Sequence, residues 1–378
     1  MKVLHIITSS ETGGAEIALE KLIRFHISRS NYLHSVICIK PLGEVGDRLM
    51  SEGVEVTSLN LKNFLFLPFS FFKLLSLIKK QKPDLIQTWL YHADLIGSLA
   101  SFLLGFKKLI WNIRSSDALL GKGLSISGFL SMKICSLISH YIPHTIISVA
   151  ERAKDQHIKQ GYCEKKFKVI HNGFFLEEFN PLLNITKNLR ERNGLIQGFK
   201  IIGSVGRYNE YKDYKTFIAA SEIMLSERKD ILFVLIGEGL EDNNEELKKL
   251  LIKHGVYDNF RLLGKQNNVN ELFLLFDIFC LHSVSEGFPN VLGEAMSSGI
   301  PCVSTDAGDA GILLGDTGRL VEVSQPKQLS KALLEVLDLP SEKIKEISIL
   351  GRERIKSKFS INRIVNKYEE LYKEISIS

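Results

Sequence analysis

The sequence predicts an α/β protein in which one chain carries two doubly wound domains, each built on a parallel sheet. Three observations predict it: a length of 378 residues, short apolar β-rich runs alternating with amphipathic helical stretches, and a polar interval near 172–198 after which the alternation restarts. At roughly 100 to 200 residues per domain the length asks for two or three domains. Apolar runs of about five residues between helices suit a parallel sheet covered on both faces, whose strands have no polar side.

Strands are expected at 3–8, 35–39, 55–59, 85–88, 109–113, 145–148 and 168–171, with amphipathic helices at 15–26, 69–80, 93–104 and 150–159 between them. The interval 172–198 is polar and lacks periodicity, as a hinge does. A second set of strands follows at 201–205, 232–237, 260–263, 278–281 and 302–304. The expected division is a first domain over 1–175, a linker over 176–198, a second domain over 199–359 and a closing helix over 360–378.

Hydrophobic residues make up 45% and charged residues 24% of the chain, with 28 Gly and 9 Pro, which excludes disordered and fibrous classes. Cys38, Cys135, Cys163, Cys280 and Cys302 are scattered, so there is no CxxC pair, zinc spacing or disulfide framework, and a reducing, cytoplasmic compartment is expected. A strand-like run directly after Met1 and Lys2 leads to the expectation that no signal peptide is present. Residues 1–190 hold 24 Lys and Arg against 15 Asp and Glu, a charge of +9, whereas 191–378 hold 24 against 28, a charge of −4. The basic half suits nucleic acid, an anionic lipid surface or an acidic substrate, or is simply a solvated face. Nucleic acid is not expected, since no binding motif accompanies the charge.

Phe64, Phe66, Phe69, Phe71 and Phe72 crowd the segment 64–78, interrupted by Pro68 and Lys73 and followed by Lys79, Lys80 and Lys82. It is too short and broken to span a bilayer. A core helix and a segment lying on an anionic membrane surface both fit.

Chemistry gathers where strands give way to helices. Gly13 and Gly14 follow the first strand and open a helix, an arrangement that lets backbone approach an anion and equally serves a tight turn. Arg207 and Lys212 follow the first strand of the second domain, at the edge where open α/β sheets bind ligands, and suit a diphosphate; neutralisation by Glu210 and Asp213 is the alternative. In the run 283–296, Glu286 falls in a loop, Pro289 suits a helix start and Glu294 lies about one turn in, so both carboxylates can face one ligand. Ionised carboxylates only accept hydrogen bonds, which fits them to sugar hydroxyls and not to phosphates.

With Glu286 and Glu294 in an E-x7-E motif inside the text SEGFPNVLGEAM, the chain resembles glycosyltransferase family 4. The resemblance extends through GGAE at 13–16, VIHNG at 169–173, VGRYNEYKD at 205–213, FVLIGEG at 233–239 and RLLGKQNNV at 261–269. It implies a GT-B-type fold, two Rossmann-like domains facing across a cleft, with the closing helix packed back on the first domain. It implies that Arg207 and Lys212 hold the donor diphosphate, that Glu294 takes the ribose, and that Glu286 takes the donor sugar with the amides of Gly287, Phe288, Pro289 and Asn290. Lys265 would border the base, and Gly13 and Gly14 would approach the phosphates.

The family often has a His at the end of the strand 109–113, where this chain has Arg114, so a His-specific role does not carry over. Arg114 is a candidate for the leaving phosphate or an anionic acceptor, and His92 and Asp117 are acceptor-side candidates. No D-x-D, HExxH, GxSxG or Walker A spacing occurs. The resemblance therefore implies a retaining transferase that needs no metal or other cofactor. Its donor would be a nucleoside-diphosphate sugar such as a UDP-sugar, and its acceptor a glycan or lipid-linked hydroxyl in surface polysaccharide or lipopolysaccharide assembly. It would work in the cytoplasm, peripherally on the inner face of the membrane. An epimerase of the same architecture and a non-catalytic sugar-nucleotide-binding partner are the alternatives.

Overall fold

The computed structural model describes the chain except residues 30–31, 62–66, 115–118, 121–122, 180, 182–185, 196–197 and 378, and describes only the backbone at 67, 119–120, 123–124 and 186–188. The chain divides into two compact units, Met1–Gly173 with Ile361–Ser378, and Phe174–Ser360.

In the first unit β1 (Lys2–Ile7), α1 (Gly14–Arg29), β2 (Leu33–Cys38), α2 (Glu44–Ser51), β3 (Glu55–Ser58), α3 (Leu67–Gln81), β4 (Leu85–Trp89), α4 (Tyr91–Leu103) and β5 (Leu109–Ile113) follow in order. A short pair, β6 (Leu119–Leu120) and β7 (Gly123–Leu124), precedes α5 (Ile126–Ile138), β8 (Thr145–Ser148), α6 (Glu151–Lys159) and β9 (Phe167–Val169). The main sheet is parallel, ordered β3-β2-β1-β4-β5-β8-β9. Strands β4, β5 and β8 are buried at every residue, which is why their sequences show apolar runs without alternation. The chain walks outward from β1 to β3, then restarts at β4 and walks the other way. Right-handed crossovers therefore put α3, α4 and α5 on one face of the sheet.

The closing helix α15 (Ile361–Ile377) belongs to this unit and is held by polar contacts as well as by its buried stripe. Asn112 Nδ2 donates to Tyr368 Oη at 3.1 Å, and Tyr372 Oη donates to Gln87 Oε1. A hydrogen-bonded series of rings also reaches this helix. Trp89 Nε1 lies 3.2 Å from His5 Nδ1, His5 Nε2 2.9 Å from His34 Nδ1, His34 Nε2 2.8 Å from His26 Nδ1, and His26 Nε2 3.4 Å from Glu369 Oε1. An indole N–H only donates, so the neutral His5 and His34 rings each accept on one nitrogen and donate from the other, and the hydrogen bonds end at His26 Nδ1, with His26 Nε2 facing Glu369 outside hydrogen-bond geometry. Burial holds all three histidines below their usual pKa, His26 at about 4 and His34 at about 3.

The second unit carries α7 (Thr186–Arg192), β10 (Lys200–Val205), α8 (Tyr214–Glu227), β11 (Ile231–Ile236), α9 (Glu245–Lys253), β12 (Phe260–Gly264), α10 (Val269–Leu272) and β13 (Ile278–Leu281). Then come α11 (Asn290–Ser297), β14 (Cys302–Thr305), α12 (Ala310–Leu314), β15 (Arg319–Val321), α13 (Pro326–Leu337) and α14 (Ser341–Arg354). Its sheet is parallel in the order β12-β11-β10-β13-β14-β15. A core under this sheet includes Phe217, Phe233 and Phe260, with the last two rings stacked 4.9 Å apart. The helix α7 stands inside the polar interval read as a linker, and Arg190 ties it to the unit by donating to Leu275 O at 2.8 Å and Asp277 Oδ2 at 3.1 Å.

Candidate active site

At the carboxyl end of β10 the chain passes through Gly206 and Arg207 into a short helical turn over Glu210–Lys212. Asn209 caps that turn, its Oδ1 accepting from Lys212 N at 3.1 Å. Asp213 then takes a left-handed conformation, φ 51°, and caps α8 by accepting from Thr216 N at 3.2 Å; its other oxygen accepts from Ser324 Oγ at 3.1 Å. Asp213 is therefore a cap and not the counter-ion of Lys212. Lys212 Nζ instead lies 2.6 Å from Glu286 Oε1, with the two side chains 18% and 17% exposed. The guanidinium of Arg207 is exposed and makes no hydrogen bond or ion pair among the described residues.

The loop after β13 that presents Glu286 is fixed from three sides. Ser283 Oγ donates to Glu286 Oε1 at 2.7 Å, and Ser283 O accepts from Thr305 Oγ1 at 2.6 Å, at the end of the neighbouring β14. Val284 N donates to Tyr211 O at 2.8 Å, joining this loop to the turn that carries Lys212. Asp309 N donates to Gly287 O at 3.1 Å, and Gly308 lies against the same peptide. A Cβ at Gly308 would come 2.2 Å from Glu286 O, and its φ of +58° already favours glycine. Pro289 is the N-cap of α11, one residue ahead of the helix, and Glu294 sits in the second turn, partly exposed. Phe288 is buried, its ring 6.3 Å from that of Phe174 and 5.6 Å from that of Phe359. Phe288 thus anchors the loop through its side chain, leaving only its backbone for a ligand. Lys265, past the end of β12, is exposed, and its backbone N–H donates to Glu241 Oε1 at 3.3 Å.

His282 was not singled out by the sequence, yet it joins these parts. Its buried ring stacks on Phe217 with centroids 4.5 Å apart, Nε2 lies 2.8 Å from Ser204 Oγ, and Nδ1 bonds to the carbonyl of Lys212. A carbonyl only accepts, so Nδ1 carries the proton and Nε2 accepts from the serine. Burial presses its pKa down to about 3, so the ring is neutral. One histidine thus ties the ends of β10 and β13 to the backbone of Lys212. A His directly after an apolar strand was the available signal, and nothing in the sequence reports what its two nitrogens would meet.

The first-unit candidates line the carboxyl ends of three adjacent strands, β1, β4 and β5. Gly13 O accepts from Ile17 N at 2.9 Å and starts α1; a Cβ at Gly14, the first residue of that helix, would meet no heavy atom within 4 Å. The preceding loop is tied down by Ser10, whose Oγ accepts from Gly43 N at 2.9 Å. Arg114 leaves β5 half-buried and stacks its guanidinium over Trp89 at 5.6 Å. It donates to Asn172 Oδ1, and to Asn112 Oδ1 and Tyr368 Oη at 3.4 and 3.5 Å. Burial lowers its pKa, which for a guanidinium leaves the charge intact. His92, in the first turn of α4, has Nε2 3.3 Å from Ser127 Oγ, and burial followed by the charge of Lys40 pulls its pKa down. Asp117 lies outside the described residues.

The model of the family described as "Glycosyltransferase Family 4" matches residues 12–178, and that described as "Glycosyl transferases group 1" matches 185–354. The chain belongs to glycosyltransferase family 4. This family 4 glycosyltransferase is 26% identical over 316 residues to the Escherichia coli UDP-Gal:alpha-D-GlcNAc-diphosphoundecaprenol alpha-1,3-galactosyltransferase, covering 82% of the chain and 80% of that relative. It is 27% identical over 297 residues to the capsular polysaccharide biosynthesis glycosyltransferase CapH of Staphylococcus aureus, covering 78% of each. Among solved structures, Anabaena HepE in complex with UDP superposes with a TM-score of 0.86 at 20% identity, covering 99% of this chain and all of that one. That likeness shows the fold, a GT-B arrangement of two Rossmann-like sheets.

Proposed function

We propose that this glycosyltransferase moves a hexose or related sugar from a nucleoside diphosphate to a hydroxyl of a glycan or lipid-linked acceptor in surface polysaccharide or lipopolysaccharide assembly. The transfer retains anomeric configuration and needs no metal ion. The observation that carries the proposal is the Lys212–Glu286 pair at the ends of β10 and β13: a cation and an acceptor-only carboxylate placed together where open α/β sheets bind ligands. Uridine diphosphate is the first donor to test, since the E. coli relative is named for UDP-Gal and HepE was solved with UDP.

In this reading Lys212 and the exposed Arg207 neutralise the diphosphate, which gathers charge as the sugar leaves, and the amides of 287–290 add oriented donors. Glu286 accepts from hydroxyls of the departing sugar, Glu294 from the ribose, and Lys265 borders the base. Gly13 and Gly14 give the phosphates room beside α1, and Arg114 adds fixed positive charge. His92 and Asp117 belong to the acceptor side. The leaving phosphate oxygen takes the acceptor proton, so no side-chain nucleophile is required.

The five cysteines are free thiols and four are buried, which fits a reducing cytoplasm. A lipid-linked acceptor would bring the enzyme to the inner face of the cytoplasmic membrane. The test is incubation with UDP-sugars alone, then with lipid-linked glycans, with and without EDTA. Acceptor-dependent product with retained configuration, insensitive to EDTA, is expected. Release of an epimer without acceptor, binding without turnover, or loss of activity in EDTA restored by magnesium would each overturn a stated part.

A further inference from the structure

Between the two carboxylates of the E-x7-E run stands a glycine that donor contact does not explain. Gly293 is the fourth residue of α11, buried, and next to Glu294 in the chain. Glycine inside a helix is less favourable than alanine, so a steric reason is needed for it. A Cβ at this position would lie 2.1 Å from Cζ of Phe174 and 2.6 Å from its Cε1 and Cε2. The fully buried ring of Phe174 thus enters, tip first, the notch that the missing side chain leaves.

Phe174 is itself fixed by the two ends of the second unit, which begins at Phe174 and ends at Ser360. Phe174 N donates to Phe359 O at 3.0 Å, and Phe174 and Ser360 form a parallel bridge. The ring of Phe288, from the loop between Glu286 and α11, lies against the rings of both Phe174 and Phe359. At the far end of α11, Arg352 donates to the carbonyl of Ser297 and to those of Leu176 and Phe179, a few residues past Phe174. Ser297 Oγ in turn donates to Gly293 O at 2.7 Å. The segment that carries Glu286 and Glu294 is therefore gripped at its loop, its middle and its end by the residues with which the unit starts and closes. Misplacing a binding group by about 1 Å can cost about a hundredfold in rate, so such a grip has a catalytic consequence.

We propose that Phe174 is a positioning residue for sugar transfer, acting through its seat on Gly293 to set where Glu286 and Glu294 stand. The inference rests on the donor reading of those two carboxylates. Phe174→Leu deletes Cζ, Cε1 and Cε2, the three atoms that a Cβ at Gly293 would meet, so Phe174→Leu and Gly293→Ala each spoil the fit and together restore it.

The test reads kcat with a UDP-sugar, and amide hydrogen exchange over 286–297 without any ligand, on the full chain. Gly293→Ala is expected to lose about tenfold in kcat and Phe174→Leu about threefold, both with faster exchange, and the double variant to return within about twofold of wild type in both readouts. Phe233→Leu, in the core shared with Phe217 and Phe260, is the control: it should lower the thermal midpoint and leave both readouts unchanged while folded. Wild-type kcat and exchange in Gly293→Ala would overturn the proposal, and so would a double variant no better than Gly293→Ala. Equal losses of kcat in Phe233→Leu and Phe174→Leu would reduce the effect to stability alone. Should Gly293→Ala fail to fold, the double variant is expected to fold and turn over, and its failure to do so contradicts the seat. Altered exchange in the single variants, together with a wild type that binds no UDP, would count against the donor reading and leave the seat standing; unaltered exchange with normal UDP turnover removes the positioning role and leaves the donor reading intact.

Discussion

Lys212 Nζ and Glu286 Oε1 lie 2.6 Å apart, joining the ends of two adjacent strands of the second sheet, β10 and β13. Two residues far apart in sequence, each expected to meet a different part of one donor, are thus already in contact in the free protein. The pairing keeps the ammonium where the diphosphate is assigned. Lys212→Ala is expected to weaken UDP binding and transfer about ten- to a hundredfold, the range of one charge-assisted contact. Lys212→Arg should restore part of the loss. Unchanged affinity for UDP in Lys212→Ala would remove Lys212 from the donor site.

His282→Phe keeps an aromatic ring on Phe217 but leaves Ser204 and the Lys212 carbonyl without their ring partner. Losing a buried polar contact of this kind costs about 1 to 3 kcal/mol, to be read from the denaturation midpoint. Because the ring holds the backbone of Lys212, kcat should also fall about tenfold under conditions where the variant remains folded. A variant of lowered stability with wild-type kcat would make His282 a fold residue only.

The fold was legible because β4, β5, β8 and β11 are buried at every residue and so announce themselves as apolar runs. The site was legible as far as local text reaches: Glu286, Pro289 and Glu294 take the expected positions around the start of α11. What was not legible depends on pairing across the sheet. Lys212 meeting Glu286 and His282 lying behind Lys212 follow from β10 lying beside β13, which no sequence spacing reports, whereas Asp213 as a helix cap and Ser283 under Glu286 are contacts between residues three apart. The helix α7 escaped because it is short and polar, and is held by Arg190 and not by an apolar stripe.

Acid should weaken the first unit through its buried histidines. His26, His34 and His157 have folded pKa values of about 4, 3 and 4 against an ordinary 6.5, with burial as the first cause in each. The native state then binds fewer protons than the unfolded chain below pH 6.5, so this stability is fully present above that value and is lost as pH falls toward 4 and 3. Denaturant midpoints measured from pH 8 to 4 should decline through this window, and His34→Leu should flatten the decline. A slope unchanged by His34→Leu would contradict the assignment.

Asp94 works in the opposite direction. It is fully buried, accepts from Thr88 Oγ1 at 2.5 Å, and burial raises its pKa well above the carboxylate range, with the threonine bond opposing. A raised folded pKa means that the native state holds its proton more tightly than the unfolded chain, so stability is lost as pH climbs above the unfolded value of 3.8. Asp94→Asn keeps an acceptor for Thr88 and removes the ionisation. Its stability relative to wild type should therefore rise by about 1 kcal/mol or more between pH 4 and 8. A difference that does not change with pH would show that Asp94 is not held neutral.

The account turns on Glu286 reading the sugar while Lys212 and Glu294 hold the nucleotide, and titration calorimetry with UDP and with the intact UDP-sugar on Glu286→Gln and Glu294→Gln tests this most directly. Glu286→Gln is expected to bind bare UDP within about threefold of wild type while losing about a hundredfold in turnover, because its contact strengthens only as charge develops on the sugar. Glu294→Gln is expected to weaken UDP and UDP-sugar alike. If Glu286→Gln instead weakens bare UDP as much as Glu294→Gln does, Glu286 is only the structural counter-ion of Lys212 and the account is contradicted.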